Sequence, residues 1–456
     1  MAFLDSLFYF LIAAALWFGF LYLLHRLGRL EKPDEPGTTK WGLALMGPFL
    51  MWKTGKGRKL IDRIAQRARF WRWFGDLSIV LVGIAMVSMT VLLVWLAVLV
   101  VNIPPGREPS PDLLLGIPGI NRLIPIGYGI LALAFAIIVH EFCHGILARA
   151  SKIKVNSLGL LLFIVPIGAF VEPDEAEMKA MPRRERARLF ATGPAVNLVF
   201  ALAFAVVFSV GFMGSVQPVA DGVGVSEVRA NSPAANISLR PGVILMSVND
   251  TPTPSFATFS DALALTRANQ TVNLTYTAKG FAAPVATNVT LANASHFSST
   301  GVPGRGFLGV VVFPARLTSA YFHPIGGASE FGGILQSTLA YISLPFTGLQ
   351  PMEGLALDFY EVHGPLAGLG DGFWVLANTF YWLMWLNLML GMTNALPAVP
   401  LDGGYLFRDG LHALLQRVRG PAPATDRERA VKNISYVFAL MILVLIVWQF
   451  VGPWLF

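Results

Sequence analysis

The chain is short of charge and nearly without cysteine. Only 13% of its 456 residues are Asp, Glu, Lys or Arg, about half of the ~25% usual in soluble domains. A single Cys, at position 143, excludes a disulfide framework and a cysteine-built structural zinc site. What is abundant is apolar: 55% of the residues are hydrophobic, against roughly 45–50% in soluble proteins. The excess is gathered into charge-free runs, the mark of an integral membrane protein.

In hydrocarbon every backbone polar group must be paired internally, so ~20 consecutive apolar residues have to be helical. Runs at 7–24, 77–101, 123–150, 189–213, 372–393 and 434–455 predict a polytopic α-helical membrane protein with about six transmembrane helices. The first run lacks a basic start and is followed by many cations, a stop-transfer pattern rather than a cleaved leader. Residues 41–52 are apolar but too short to span. Residues 331–352 contain Gln336, Ser337, Thr338, Pro345 and Pro351. Both stretches read as interfacial or re-entrant segments.

The net charge of +7 is unevenly placed. Of the 34 Lys and Arg, 26 lie in 25–76, 149–188 and 403–433, and 8 in 102–122 and 214–371. The positive-inside rule puts the first group in the cytoplasm. The basic balance therefore reads as topology and contact with an anionic lipid bilayer, and it argues against nucleic acid as a partner.

Residues 215–320 break the pattern. They are rich in Val, Thr, Ala, Asn, Gly and Pro, with strand-like pieces at 271–277 (TVNLTYT) and 285–291 (VATNVTL). Six N-x-S/T triplets start at Asn236, Asn249, Asn269, Asn273, Asn288 and Asn293. They read either as sites exposed to a glycosylating compartment or as by-products of an Asn/Thr-rich β surface. The stretch 225–250 resembles a PDZ domain, through its SPA turn, its L-x-P-G turn at 239–242 and the strand at 244–249. That resemblance implies a small β-rich domain that accepts an extended peptide beside an exposed strand.

The sharpest signal is His140-Glu141-Phe142-Cys143-His144 at the end of an apolar run. Positions i and i+4 differ by about 40° around a helix, so both imidazoles share one face and can ligate one Zn2+. Glu141 stands about 100° from His140, close enough to take a proton from a metal-bound water. Ionisable groups in a span are costly and demand a functional account. The other His residues, at 25, 296, 323, 363 and 412, fall outside the apolar runs. Asp402, at the end of the charge-free run 372–401, is the intramembrane acid in need of a partner. It reads as a third metal ligand or as the N-cap of the following helix, and the two roles are compatible.

These motifs together resemble the site-2 protease family of intramembrane zinc metalloproteases. His140, Glu141 and His144 match its HExxH helix. Asn394, Pro397, Asp402, Gly403 and Gly404 match its N-x-x-P…D-G motif. Many relatives carry a second Pro five residues after the Asn, where this chain has Val399 and then Pro400. The resemblance implies zinc on His140, His144 and Asp402, Glu141 as catalytic base, and cleavage of transmembrane protein substrates already trimmed by another protease. Residues 155–175 resemble the family's membrane-entering β segment, where Gly159 and Gly168 suit pairing to an unwound substrate. Residues 191–203 resemble its G-P-x-x-N helix, and the family role implied for Asn394 is substrate contact. Asn197, polar inside a span, is expected to contact substrate or a neighbouring helix.

The expected organisation is an N-terminal membrane region at 1–122 with two transmembrane helices and a basic cytoplasmic loop. The metalloprotease core lies in two parts, 123–213 and 372–456. Between them stand an extracytoplasmic PDZ-like domain at 214–320 and an interfacial or re-entrant segment at 321–371. The expected location is the cell membrane, with the active site toward the cytoplasm. A metal transporter built on the same His and Asp residues, or a catalytically silent scaffold, would account for less. Neither requires Glu141.

Overall fold

Long apolar helices form where the charge-free runs lie, and their exposed faces are themselves apolar. The computed structural model describes residues 2–31, 42–103, 113, 116, 118–163, 165–297, 302–315, 323, 333, 336, 339, 342, 353–419 and 424–454. The expected segment 331–352 lies outside the described residues apart from isolated positions. Two compact units emerge, Met1–Ala201 with Leu383–Phe456, and Leu202–Trp382.

The first unit opens with α1 (Ala2–Arg26), then a hairpin of β1 (Leu43–Met46) and β2 (Phe49–Thr54). A short helix, α2 (Arg58–Ala65), leads into the long α3 (Ala68–Leu99). Helix α4 (Ile126–Ala150) carries the HEFCH motif. It is followed by a second hairpin, β3 (Val155–Phe163) and β4 (Val165–Pro173), and by helices α5 (Glu175–Ala180) and α6 (Arg183–Val206).

Five helical segments among the described residues are long and apolar enough to cross a bilayer: Ala68–Asn102, Ile126–Ala150, Arg183–Ser215, Asp371–Asn394 and Thr425–Val451. On α3, Val80, Ile84, Val87, Val91, Trp95 and Val98 are each more than half exposed. Their spacing of three and four residues sets them along one stripe. An exposed apolar stripe of that length is a surface for lipid, not water. The opposite face, with Ser78, Val82 and Ala85, is buried. Helix α1 is a further apolar helix, of 25 residues.

Strands β1 to β4 form one antiparallel sheet in chain order. The apolar piece at 41–52 is therefore most of a hairpin. Gly47, at φ +60, makes its turn, a left-handed conformation that glycine adopts without steric cost. Trp17 of α1 ties onto it, donating from Nε1 to the Pro48 carbonyl at 2.9 Å. Strand β3 is interior, with β2 on one edge and β4 on the other. A Cβ on Gly159 would stand 1.9 Å from the Trp52 carbonyl oxygen. Glycine at 159 thus serves the close approach of β2. The expectation that Gly159 pairs with substrate is corrected, because both edges of its strand are filled. Among the described residues the outer edge of β4 has no strand partner, whereas that of β1 is bridged at Leu43 by Leu30.

The second unit is built mainly of strands. These are β5 (Val216–Pro218), β6 (Val223–Val228), β7 (Ile244–Val248), β8 (Thr251–Pro252), β9 (Thr271–Thr277), β10 (Val285–Thr290), β11 (Ala292–Asn293), β12 (Gly306–Phe307), β13 (Val310–Pro314) and β14 (Tyr360–Val362). An antiparallel sheet runs in the order β10-β9-β7-β6-β13, with β8 paired to β7. Two short helices accompany it, α7 (Pro233–Asn236) and α8 (Phe256–Ala264). Ser255 and Thr258 form a reciprocal capping box at the start of α8. Val223, Val225, Leu245, Val248, Val272 and Leu274 fill the core. They recur at every second or third position because alternate strand residues point to one face.

Helix α9 (Asp371–Asn394) returns the chain to the first unit. Helices α10 (Asp402–Arg419) and α11 (Ala424–Val451) complete it. Two ion-pair clusters brace this unit. Arg188 of α6, 7% exposed, bonds Asp76 of α3 at 2.6 and 2.9 Å and Glu185 at 2.6 Å. Arg186 grips the buried Asp409 of α10 with two parallel bonds, one of them 2.9 Å from Nε to Oδ2. Small residues close the remaining gap: Ala85, Ala191, Ala195 and Ala395 meet in one buried cluster. Such residues let membrane helices approach closely.

Candidate metal centre and active site

Helix α4 sets His140 and His144 one turn apart, and α10 begins at Asp402 beside them. Asp402 Oδ2 lies 2.9 Å from His140 Nε2 and 3.3 Å from His144 Nε2, and the two Nε2 atoms are 3.2 Å apart. The aim of Asp402 depends on its two following glycines. A Cβ on Gly403 would stand 2.1 Å from the Ala395 carbonyl oxygen, and one on Gly404 would stand 2.4 Å from the Val399 nitrogen. Only glycine lets the 395–401 segment fold so tightly over the start of α10.

The outer nitrogens of both rings are occupied from behind. His144 Nδ1 donates to the Leu189 carbonyl at 2.8 Å. His140 Nδ1 lies 3.2 Å from the side-chain amide of Asn197, whose Oδ1 is buried without a partner. Turning that near-isosteric amide would present Oδ1 to Nδ1–H as an acceptor. With both protons on Nδ1, each Nε2 presents a lone pair. Two lone pairs and a carboxylate oxygen then converge on one point, where they could hold a metal ion.

The spacing suits zinc. Two ligands at about 2.0–2.1 Å from one tetrahedral zinc stand about 3.3 Å apart, close to the three separations here. His140, His144 and Asp402 are the group of His, Cys, Asp or Glu that could hold a metal ion among the described residues. Gly193 keeps the space open from α6: a Cβ there would stand 2.3 Å from His144 Nε2 and 2.7 Å from His140 Nε2.

Glu141 faces the same cavity, of about 370 Å3, and so do Ile137, Val171, Leu390, Asn394 and Asp402. Its Oε2 accepts the backbone N–H of Val171 at 3.2 Å. Val171 therefore turns its N–H away from β3, toward the free edge of β4. Gly145 permits this closeness, since a Cβ there would stand 2.9 Å from Val171 Cγ1 and 3.0 Å from Ile61 Cδ1.

Of the residues singled out in the sequence, His140, Glu141, His144, Asn394 and Asp402 meet at this one cavity. Asn394 donates to the Leu390 carbonyl at 3.1 Å while lining it. Gly168 sits on the edge strand β4, opposite Leu161. Asn197 takes the neighbouring-helix contact of its two expected roles. It is 0% exposed and bonded to His140, so it stands behind the ring and out of reach of a substrate. Cys143 is buried away from the cluster. The Leu189 carbonyl and the Val171 N–H were not foreseen, because backbone groups leave no signature in a sequence.

Two imidazoles and a carboxylate converging within apolar helices, with a glutamate beside them, define a membrane-embedded zinc metallopeptidase. Comparison with known proteins agrees. Residues 128–444 match the model of Peptidase family M50. An uncharacterized protein of Methanocaldococcus jannaschii is 23% identical over 363 residues, covering 79% of this chain and 77% of that protein. A putative zinc metalloprotease of Rhizobium meliloti is 25% identical over 373 residues, covering 71% and 95%. The regulator of sigma-E protease RseP of Escherichia coli is 31% identical over 157 residues, covering 28% and 34%. A solved PDZ domain from an SdrC-like protein of Listeria monocytogenes is 23% identical and covers 21% of this chain and 92% of that domain. Its TM-score of 0.18 is too low to carry a fold assignment. The chain belongs to Peptidase family M50, as the resemblance of its motifs to site-2 proteases implies.

Proposed function

We propose that this zinc metalloprotease cuts transmembrane segments of membrane proteins, with His140, His144 and Asp402 as the zinc ligands and Glu141 as the catalytic base. The observation that carries the reading is the convergence of three acceptors beside Glu141 on one cavity. Bound zinc supplies a Lewis acid that makes water nucleophilic near neutral pH. Glu141 is placed to take a proton from a water that adds to the scissile carbonyl and to return it to the amine as the C–N bond breaks. Leu189 and Asn197 hold the two rings in the tautomer that ligation needs.

A helical substrate hides its carbonyls in i→i−4 bonds and has to unwind first. The outer edge of β4 is where an extended chain would add as a further strand, in the stretch that includes Gly168. Val171 N–H, held by Glu141, brings that edge beside the base. Asn394 lines the cavity and is assigned to substrate contact.

The wider setting follows the charge distribution. Six transmembrane helices, counting α1, put the three basic stretches and the zinc end in the cytoplasm. The sheet of 223–314 then lies outside, as a PDZ-like filter for substrates already cut by another protease, in regulated intramembrane proteolysis. Its strands and two short helices suit that module.

The test is cleavage of a model transmembrane substrate by protein reconstituted in vesicles. Glu141→Gln should retain zinc and lose roughly 10^2–10^4-fold in rate, the span of general acid–base catalysis. Full activity in the Glu141→Gln protein would refute the mechanism.

A further inference from the structure

Helices α10 and α11 border a second cavity, of about 600 Å3, away from the zinc cluster. Three cations line it, Arg408, Arg429 and Lys432, against one acid, Glu428. Glu428 reaches Arg408 only at 3.9 Å. Among the described residues no acid stands within ion-pair distance of Arg429 or Lys432. The Lys432 ammonium lies 5.7 Å over the ring of Tyr436. Ser435, also in the lining, is only 8% exposed, and its Oγ is buried with no hydrogen-bond partner.

The cavity sits where α11 changes character. Residues 425–432 hold its charges, and 433–451 hold none. Just past the cavity Tyr436, Val437, Leu440, Leu443 and Val444 are 54–65% exposed. Uncompensated cations and an unsatisfied hydroxyl call for an anionic acceptor. The bare apolar stripe beside them calls for hydrocarbon. A free phosphate would answer the first need and leave the second unmet.

We propose that this cavity binds the phosphate headgroup of an anionic phospholipid, whose acyl chains lie along the exposed face of α11. The phosphate oxygens accept from Arg429, Lys432, Arg408 and the Ser435 hydroxyl. Each cation near an anionic headgroup strengthens its binding about fivefold, or about 1 kcal/mol.

The test is native mass spectrometry on the full chain in detergent, titrated with phosphatidylglycerol, phosphatidylcholine or inorganic phosphate. Phosphatidylglycerol is expected to bind at one saturable site and more tightly than the other two. Replacing both exposed cations (Arg429→Ala with Lys432→Ala) should weaken it about 25-fold, the product of two fivefold losses. Ser435→Ala should weaken it further. Arg427→Ala removes a cation from the same helix end, but one that does not line the cavity, and should change affinity less than about twofold. Circular dichroism confirms that each variant stays folded. Three results would overturn the proposal: undiminished phosphatidylglycerol binding in the double variant, an equal loss in Arg427→Ala, or inorganic phosphate binding as tightly as the lipid.

Discussion

Gly193→Ala puts a single methyl group where the metal would sit. Its Cβ would stand 2.3 Å from His144 Nε2 and 2.7 Å from His140 Nε2, whereas ordinary contact begins at 3.4 Å. The two rings would have to retreat by about 1.1 and 0.7 Å. Neither can do so freely. His144 is tied to Leu189 at 2.8 Å and His140 to Asn197 at 3.2 Å. A metal site tolerates about ±0.2 Å in its ligand distances, so the retreat is several times what ligation allows. Zinc affinity should fall by more than the 10–100-fold typical of a lost outer-shell bond. The fold should lose about 1–3 kcal/mol, the usual cost of overpacking. Zinc content against a competing chelator reads the first effect, and thermal unfolding the second. Gly391→Ala is the matched control. It crowds Leu198 and the Pro194 carbonyl at 3.0 Å without touching the rings, and it should keep its zinc. Wild-type zinc affinity in Gly193→Ala would refute the reasoning.

Three further outcomes are expected. Asn197→Leu removes the polar partner behind His140 and should cut zinc affinity roughly 10–100-fold, while Asn197→Asp should retain it; a competition assay with a zinc chelator decides. Asp409→Ala leaves Arg186 unpaired at a quarter-exposed position and should cost about 2–4 kcal/mol in thermal unfolding, slightly less than a fully buried pair; a loss below 1 kcal/mol would remove this brace from the account. Asp174 caps α5 by accepting the N–H groups of Glu177 and Ala176, at 3.1 Å each. The Glu177 bond first, then a bond from the Asn156 side chain and the Ala176 bond, hold its carboxyl below the usual value. A lowered carboxyl contributes stability above its unfolded value and loses that contribution as pH falls through the lowered one. Hydrogen exchange over 175–180 should therefore show protection lost on acidification in the wild type. In Asp174→Ala it should be low throughout, and wild-type behaviour in that variant would contradict the capping role.

Much of the site could be read from the chain because its chemistry is carried by side chains at helical spacing. His140 and His144 are four residues apart, and that alone sets both rings on one face. Asp402 stood out because the residues before it carry no charge. Contacts between distant parts of the chain leave no such local pattern. The hairpin at 43–54 pairs with β3 some hundred residues later, and an apolar run of twelve residues does not announce a partner that distant. Gly159 looked like a place for substrate because a glycine in a strand invites close backbone approach. The approach is real, but the visitor is Trp52 of the same chain. Asn197 was ambiguous for a similar reason. A polar residue in a span needs a partner, and only packing reveals that the partner is His140 rather than substrate.

X-ray absorption at the zinc edge of the purified full chain tests the central claim most directly, since it reports the donor atoms themselves. One zinc per chain is expected, held by two imidazole nitrogens and oxygen donors at about 2.0–2.1 Å, and lost when Asp402 is replaced by Ala. Sulfur in the coordination shell, or a full complement of zinc in Asp402→Ala, would contradict it.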